Sequence, residues 1–306
     1  IPAVLSVVRP LRVQLATQLE SVRTVIRNFG PVFISRGVVQ LSAYIDSLLA
    51  SLLPTGAVAA LAYAQTIYLL PVSLFGMAVS ASELPAMSSA LGNEEEIAAY
   101  LRKRLESGLR RIAFFVIPSA AAFLALGDIV AGAIYQSGKF THADAIWVWG
   151  ILAGSGVGLL ASTQGRLYSS AFYALKDTKT PLRFAIVRVV LTTILGYLCA
   201  VHLPGMLGID AKWGVAGLTA SAGIAGWVEF LLLRGGLSRR IGVVSVGASY
   251  LARLWGAAAI ACAIAWIIKL RATDLHPIVS AIAILVPFGL TYVAIAGPKR
   301  VVQLLK

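Results

Sequence analysis

The sequence predicts an all-α polytopic membrane protein with eight transmembrane helices, and three observations carry that expectation. Of 306 residues, 58% are hydrophobic and only 13% charged, about half the charged share of an ordinary soluble domain. Apolar runs long enough to cross a bilayer, which takes roughly 20 helical residues, recur from end to end. The charges fall in the gaps between those runs. A net charge of +13 would suit nucleic acid if the Lys and Arg formed one patch. Divided among short gaps, they act instead as topology determinants and contacts for anionic membrane lipid, so no nucleic-acid partner is expected.

Residues 1–28 come first. Val4, Leu5, Val8, Leu11, Leu15, Leu19, Val22 and Val25 interleave with Arg9, Arg12, Arg23 and Arg27, a pattern that fits an amphipathic helix on the cytoplasmic membrane surface and equally a plain linker helix. The spans follow at about 31–53, 57–81, 110–134, 143–173, 182–203, 213–234, 248–270 and 277–297. Between the second and third, Asn93 precedes Glu94, Glu95 and Glu96, with Arg102, Lys103 and Arg104 beyond. An N-cap, acidic residues in the first turn and basic ones later suit the helix dipole, so a short surface helix is expected here. The basic clusters at 9–27, 102–111, 176–183, 234–240 and 299–306 fall on one side of the membrane. The opposite ends carry only Lys139, Lys212, Lys269 and Arg271. The positive-inside rule therefore makes both ends of the chain cytoplasmic. It also puts the charged turn Lys176-Asp177-Thr178-Lys179-Thr180-Pro181 on that side.

Polar residues inside the spans are the candidate site. Arginine at a bilayer centre costs at least about 2.5 kcal/mol unless it reaches an interface or a polar cavity. Arg36 and Arg253 lie within two turns of a cytoplasmic end, where snorkelling accounts for them, although Arg36 is kept with Arg166, Tyr63, Gln65 and Thr66 as a substrate-binding candidate. Arg188 lies near its helix start, where snorkelling is favoured over a cavity position. Arg166 is accompanied by Ser162, Thr163 and Gln164 before it and Tyr168, Ser169 and Ser170 after it. Two readings stand: it lines a cavity, or its helix protrudes into the cytoplasm. On the first span Arg36, Gln40, Tyr44 and Ser47 share one face, and Asp46 lies deeper, a candidate for ion coupling or charge pairing. The second span carries Tyr63, Gln65 and Thr66 ahead of Pro71, whose missing N–H permits a kink usable as a gate or as fixed packing. Glu83 at its cytoplasmic end is a partner for Arg36. Gly150, Gly154, Gly156 and Gly158, with Gly214, Gly217, Gly223 and Gly226, mark two spans as closely packed, and the same glycines would let helices slide.

Cys199 and Cys262 lie in apolar runs without partners at ligand spacing, and His142, His202 and His276 are scattered. No metal, cofactor or disulfide is expected, and no nucleophile, phosphate loop or acid–base pair suggests an enzyme.

Three stretches carry a family resemblance. They are Tyr135-Gln136-Ser137-Gly138-Lys139-Phe140-Thr141 with Asp144, Ala171-Phe172-Tyr173-Ala174-Leu175-Lys176-Asp177-Thr178-Lys179-Thr180-Pro181, and Leu70-Pro71 followed by Leu74-Phe75-Gly76. On these the chain resembles the MurJ (MviN) family of lipid II flippases, within the multidrug/oligosaccharidyl-lipid/polysaccharide exporter superfamily. The resemblance implies two six-helix lobes around a central cavity plus two C-terminal helices. The chain would then hold the interfacial linker (1–28), the second six-helix lobe (29–235) and the additional pair (236–306), with an N-terminal lobe of the same protein as partner. It implies an undecaprenyl-diphosphate-linked sugar-peptide as substrate, carried by alternating access across a bacterial inner membrane. Arg166 matches a basic position of the family, whereas Gln65 and Thr66 stand where the family places a basic residue just after Tyr63-Ala64. That departure keeps two further classes in play, an ion-coupled MATE-like or polysaccharide-lipid exporter and a non-transporting envelope scaffold.

Overall fold

The computed structural model describes residues 23, 29, 37, 40–271 and 276–297, which form helices and short connections with no strand among them. We number the helices α1 (40–51, the described part of the first span), α2 (Ala57–Ser88), α3 (Glu94–Tyr135), α4 (His142–Ala174), α5 (Lys179–Leu207), α6 (Gly214–Ile241), α7 (Ala248–Arg271) and α8 (Pro277–Ala296). Helices α2 to α8 are each long and apolar enough to cross a membrane. The surface helix expected over 1–28 lies outside the described residues apart from Arg23.

One element differs from expectation. The surface helix after Asn93 does not stop before the third span but continues into it, making α3 a single helix of 42 residues. Asn93 caps it as the sequence implies, in a reciprocal capping box. Its side chain accepts from the Glu96 N–H at 2.9 Å, and the Glu96 carboxylate accepts from the Asn93 N–H at 3.0 Å. The charged stretch 102–111 continues the helix because Arg and Lys are good helix formers and nothing there breaks it. Its cations find partners on neighbouring helices. Arg104 lies 2.8 Å from the buried carboxylate of Glu83, and Arg102 donates to the Ile241 carbonyl at the end of α6. Arg36 lies outside the described residues, so Arg104 is the partner seen for Glu83.

Helix α4 is the axis of the fold, packed against α3 on one side and α6 on the other. Thr141 caps it through Asp144, so the His142 to Asp144 stretch serves a helix start. Lipid tails are as apolar as leucine, so close contact rather than water exclusion must hold such helices together. The glycines supply it: a Cβ on Gly158 would overlap the backbone of Gly223, and one on Gly154 would overlap Thr219 and the Ala216 carbonyl. Outward faces remain apolar, as at Leu74, Ile267 and Leu290.

Helices α7 and α8 pack on each other and on α3. Pro118 explains how they are fastened. Having no N–H, it leaves the Phe114 carbonyl without its helical donor, and the buried Tyr292 hydroxyl of α8 donates to that oxygen at 2.6 Å. The Tyr250 hydroxyl donates to the Arg110 carbonyl on the same helix, and Lys269 reaches the buried Asp128 at 2.6 Å.

Candidate functional site

A cavity of about 540 Å³ opens between α1, α2, α4, α5 and α6. Its polar lining comes from Ser42 and Asp46 of α1, Gln65, Thr66 and Tyr68 of α2, Ser155 and Ser162 of α4, Arg188 of α5 and Thr219 of α6. Several hydroxyls are already engaged: Tyr68 and Ser162 lie 2.9 Å apart, Thr66 donates to the Ala62 carbonyl, and Thr219 donates to the Ile151 carbonyl across the seam. Returning hydroxyls to helix carbonyls lets apolar helices carry a polar wall without unpaired donors.

The charged groups are not so settled. Arg188 Nη1 donates to Glu229 Oε2 of α6 at 3.2 Å, in a half-buried pair, and Arg188 is also the charge that acts on Asp46. Yet Arg188 Nε and Asp46 Oδ1 are both buried without a hydrogen-bond partner among the described residues. Asp46 and Arg188 thus line one cavity, and the guanidinium is bonded to the other carboxylate, Glu229.

Both cavity-wall helices α2 and α5 contain a π-helical stretch, Val72–Met77 and Leu198–His202. Pro71 immediately precedes the first, and Gly76 lets that turn press against Thr163 of α4. Such local widening is frequent at functional sites.

The sequence candidates separate in space. Asp46, Gln65 and Thr66 come together in the cavity, with Pro71 further along the same α2 wall. Tyr63 does not line it; its ring packs against Tyr135 at 4.8 Å and Phe140 at 5.5 Å near the α3–α4 connection. Arg166 is exposed on α4 and outside the cavity lining, while Thr163 and Gln164 beside it are buried. Arg36 lies outside the described residues. Arg188, explained by snorkelling from sequence, is in the cavity wall, and Glu229 was missed altogether. Glu229 gives the same signal as Asp46, a lone carboxylate within an apolar run, and that signal was available.

Comparison with known proteins decides the family. The family model described as lipid II flippase MurJ matches residues 1–287. The chain belongs to the MurJ family. It is 32% identical over 205 residues to a probable lipid II flippase MurJ of Rhizobium meliloti, covering 66% of this chain and 36% of that protein. It is 31% identical over 233 residues to the lipid II flippase MurJ of Burkholderia cenocepacia, covering 76% and 42%. The chain therefore spans about two fifths of the length of these MurJ relatives. A solved structure of lipid II flippase MurJ in an inward closed conformation shares the fold, with TM-score 0.72 at 22% identity over 96% of this chain and 57% of that one. MurJ membership and the apolar helices together make this a multi-pass membrane protein of a transporter family.

Proposed function

We propose that the chain forms the second lobe and the C-terminal helix pair of a lipid II flippase in a bacterial inner membrane, with both ends cytoplasmic. It works against a first lobe of the same protein, and the lobes rock about a shared cavity. Membership of the MurJ family is the observation that carries this reading. The physical need is plain: a diphosphate and its sugars cannot cross hydrocarbon, whereas the polyprenyl tail can stay in it. A polar cavity walled by helices with widened turns suits the passage of such a headgroup. Gln65 and Thr66 of the cavity wall offer hydrogen bonds to sugar and Pro71 with its π turn serves as the hinge, while Arg166, exposed on α4 outside this cavity, and Arg36 are the proposed diphosphate contacts beyond it, with Tyr63 shaping the approach.

Complementation in cells depleted of their own lipid II flippase tests the reading, using the full-length protein. Growth is expected with the wild type. Arg166→Ala is expected to lower flipping on the order of tenfold, the worth of one charge-assisted contact. Unimpaired flipping by Arg166→Ala removes that residue from the site, and failure of the wild type to complement removes the substrate.

A second reading, an ion-coupled exporter of another lipid-linked sugar, draws support from the unpaired Asp46 oxygen in the cavity. Ion-dependent transport that is lost in Asp46→Asn, without complementation, would favour it.

A further inference from the structure

We propose that Asp46, Arg188 and Glu229 form a proton-operated switch in which Asp46 takes up the proton and Arg188 is the moving part. The inference rests on the transport reading for its purpose but not for its chemistry.

Charge counting is the starting point. Among the described residues at the cavity and directly behind it, Asp46 and Glu229 bring two negative charges and Arg188 brings one positive charge. A net negative charge among membrane-spanning helices is costly unless something neutralises it. Position shows where. Arg188 gives Nη1 to Glu229, while Asp46 lines the cavity with its Oδ1 buried and no donor to it among the described residues. The carboxylate left over is therefore Asp46.

The surroundings narrow the species. From α2 the titratable group facing the cavity is Tyr68, which shares its hydroxyl with Ser162; α4 offers the hydroxyls of Ser155 and Ser162; α5 offers Arg188, with Glu229 of α6 behind it. Among the described residues no three acidic, His or Cys side chains converge as a ligand set. A metal cation needs a shell of several oxygens. A proton needs the single unpaired oxygen that Asp46 presents.

The same geometry says what protonation does. With Asp46 neutral, Arg188 is held by Glu229 and ties α5 to α6, the arrangement seen here. Loss of the proton to cavity water leaves Asp46 anionic, and the unpartnered Nε of Arg188 is the donor available to it. The guanidinium is then drawn toward α1. The two ends of that movement lie on different helices, and α5 between them carries the π turn Leu198–His202 that lets it flex.

Infrared difference spectra of the purified full-length protein in lipid nanodiscs, titrated between about pH 5 and pH 9, test the proposal without any transport step. We expect a protonated-carboxyl stretch that titrates in the wild type, is absent in Asp46→Asn, and is indifferent to replacing sodium by choline. Glu229→Gln frees Arg188 for Asp46 and should move the titration to lower pH by about one unit or more; this variant keeps the test decisive if Asp46→Asn does not fold. No titrating carboxyl, a titration untouched by both substitutions, or one abolished by sodium would each overturn the switch, the last in favour of a metal-ion site. Lipid II flipping in proteoliposomes with a pH gradient at clamped potential is the second arm. A wild type that titrates but does not flip lipid II keeps the switch and sinks the substrate. One that flips with the same pH dependence in Asp46→Asn keeps the substrate and sinks the switch.

Discussion

The seam between α4 and α6 and the cavity beside it share two helices yet follow opposite rules. In the seam, Gly158 meets Gly223 and Gly154 meets Thr219 with no room for a methyl group, and the polar atoms that enter are paired. Trp227 likewise donates its ring N–H to the Val157 carbonyl at 2.8 Å. On the other walls of the cavity, Asp46 Oδ1 and Arg188 Nε are buried with no hydrogen-bond partner among the described residues, and α2 and α5 carry π turns. The seam has one arrangement that satisfies it. The wall keeps donors and acceptors in reserve for a second arrangement, and a transporter needs both kinds of region: a frame that does not yield and a surface that does.

The sharpest test of the seam is to add one methyl group inside it and one outside it on the same pair of helices. Gly158→Ala must push α4 off the Gly223 backbone and is expected to cost about 3 kcal/mol or more, read as earlier unfolding in mixed detergent. Gly226→Ala, on α6 where no atom would meet the new Cβ, should change stability by less than about 0.5 kcal/mol. Equal effects would mean that close approach at Gly158 is not what fixes the seam.

How much of this was legible follows the same division. Span positions, the Asn93 cap and the glycine-rich pair were readable because hydropathy, capping chemistry and residue size act locally. The Arg188–Glu229 pair was not, since one sequence does not say that α5 lies beside α6. The orientation of Arg166 was hidden for a related reason. The rotation of α4 about its own axis is set by its packing on α3 and α6, which buries Gln164 and Thr163 and leaves Arg166 exposed. The break expected before residue 110 was misplaced because charge was read as a helix end, whereas Arg102 and Arg104 were simply partners for other helices.

The fastening of α7 and α8 to α3 extends the frame, and a cycle of two substitutions can sharpen that view. Tyr292→Phe leaves the Phe114 carbonyl buried without a donor and should cost about 1–3 kcal/mol. In a Pro118→Ala background the new backbone N–H serves that carbonyl, so the further loss from Tyr292→Phe should fall below about 1 kcal/mol. Additive losses in the same unfolding assay would show that the hydroxyl and the proline are not linked.

The smallest expected effect lies in the turn between α4 and α5, where the frame meets water. Burial alone would raise the pKa of Asp177. The Thr180 hydroxyl and N–H, the Arg240 guanidinium at 2.6 Å and the Lys179 N–H more than offset it, holding the carboxyl below its usual range. A group whose folded pKa is depressed stabilises fully above its unfolded value, near pH 4, and loses that stabilisation as pH falls through the folded value. Wild-type melting temperature should therefore drop more steeply below about pH 4 than that of Asp177→Asn, with the two curves converging in acid. Because Arg240 also lies over the Phe172 ring at 5.6 Å, Arg240→Gln should remove only part of the difference, leaving the Thr180 contacts to hold the turn. A pH profile identical in wild type and Asp177→Asn would mean that the turn is held by its backbone closure, the Asp177 N–H on the Phe172 carbonyl at 2.9 Å, and not by its charges.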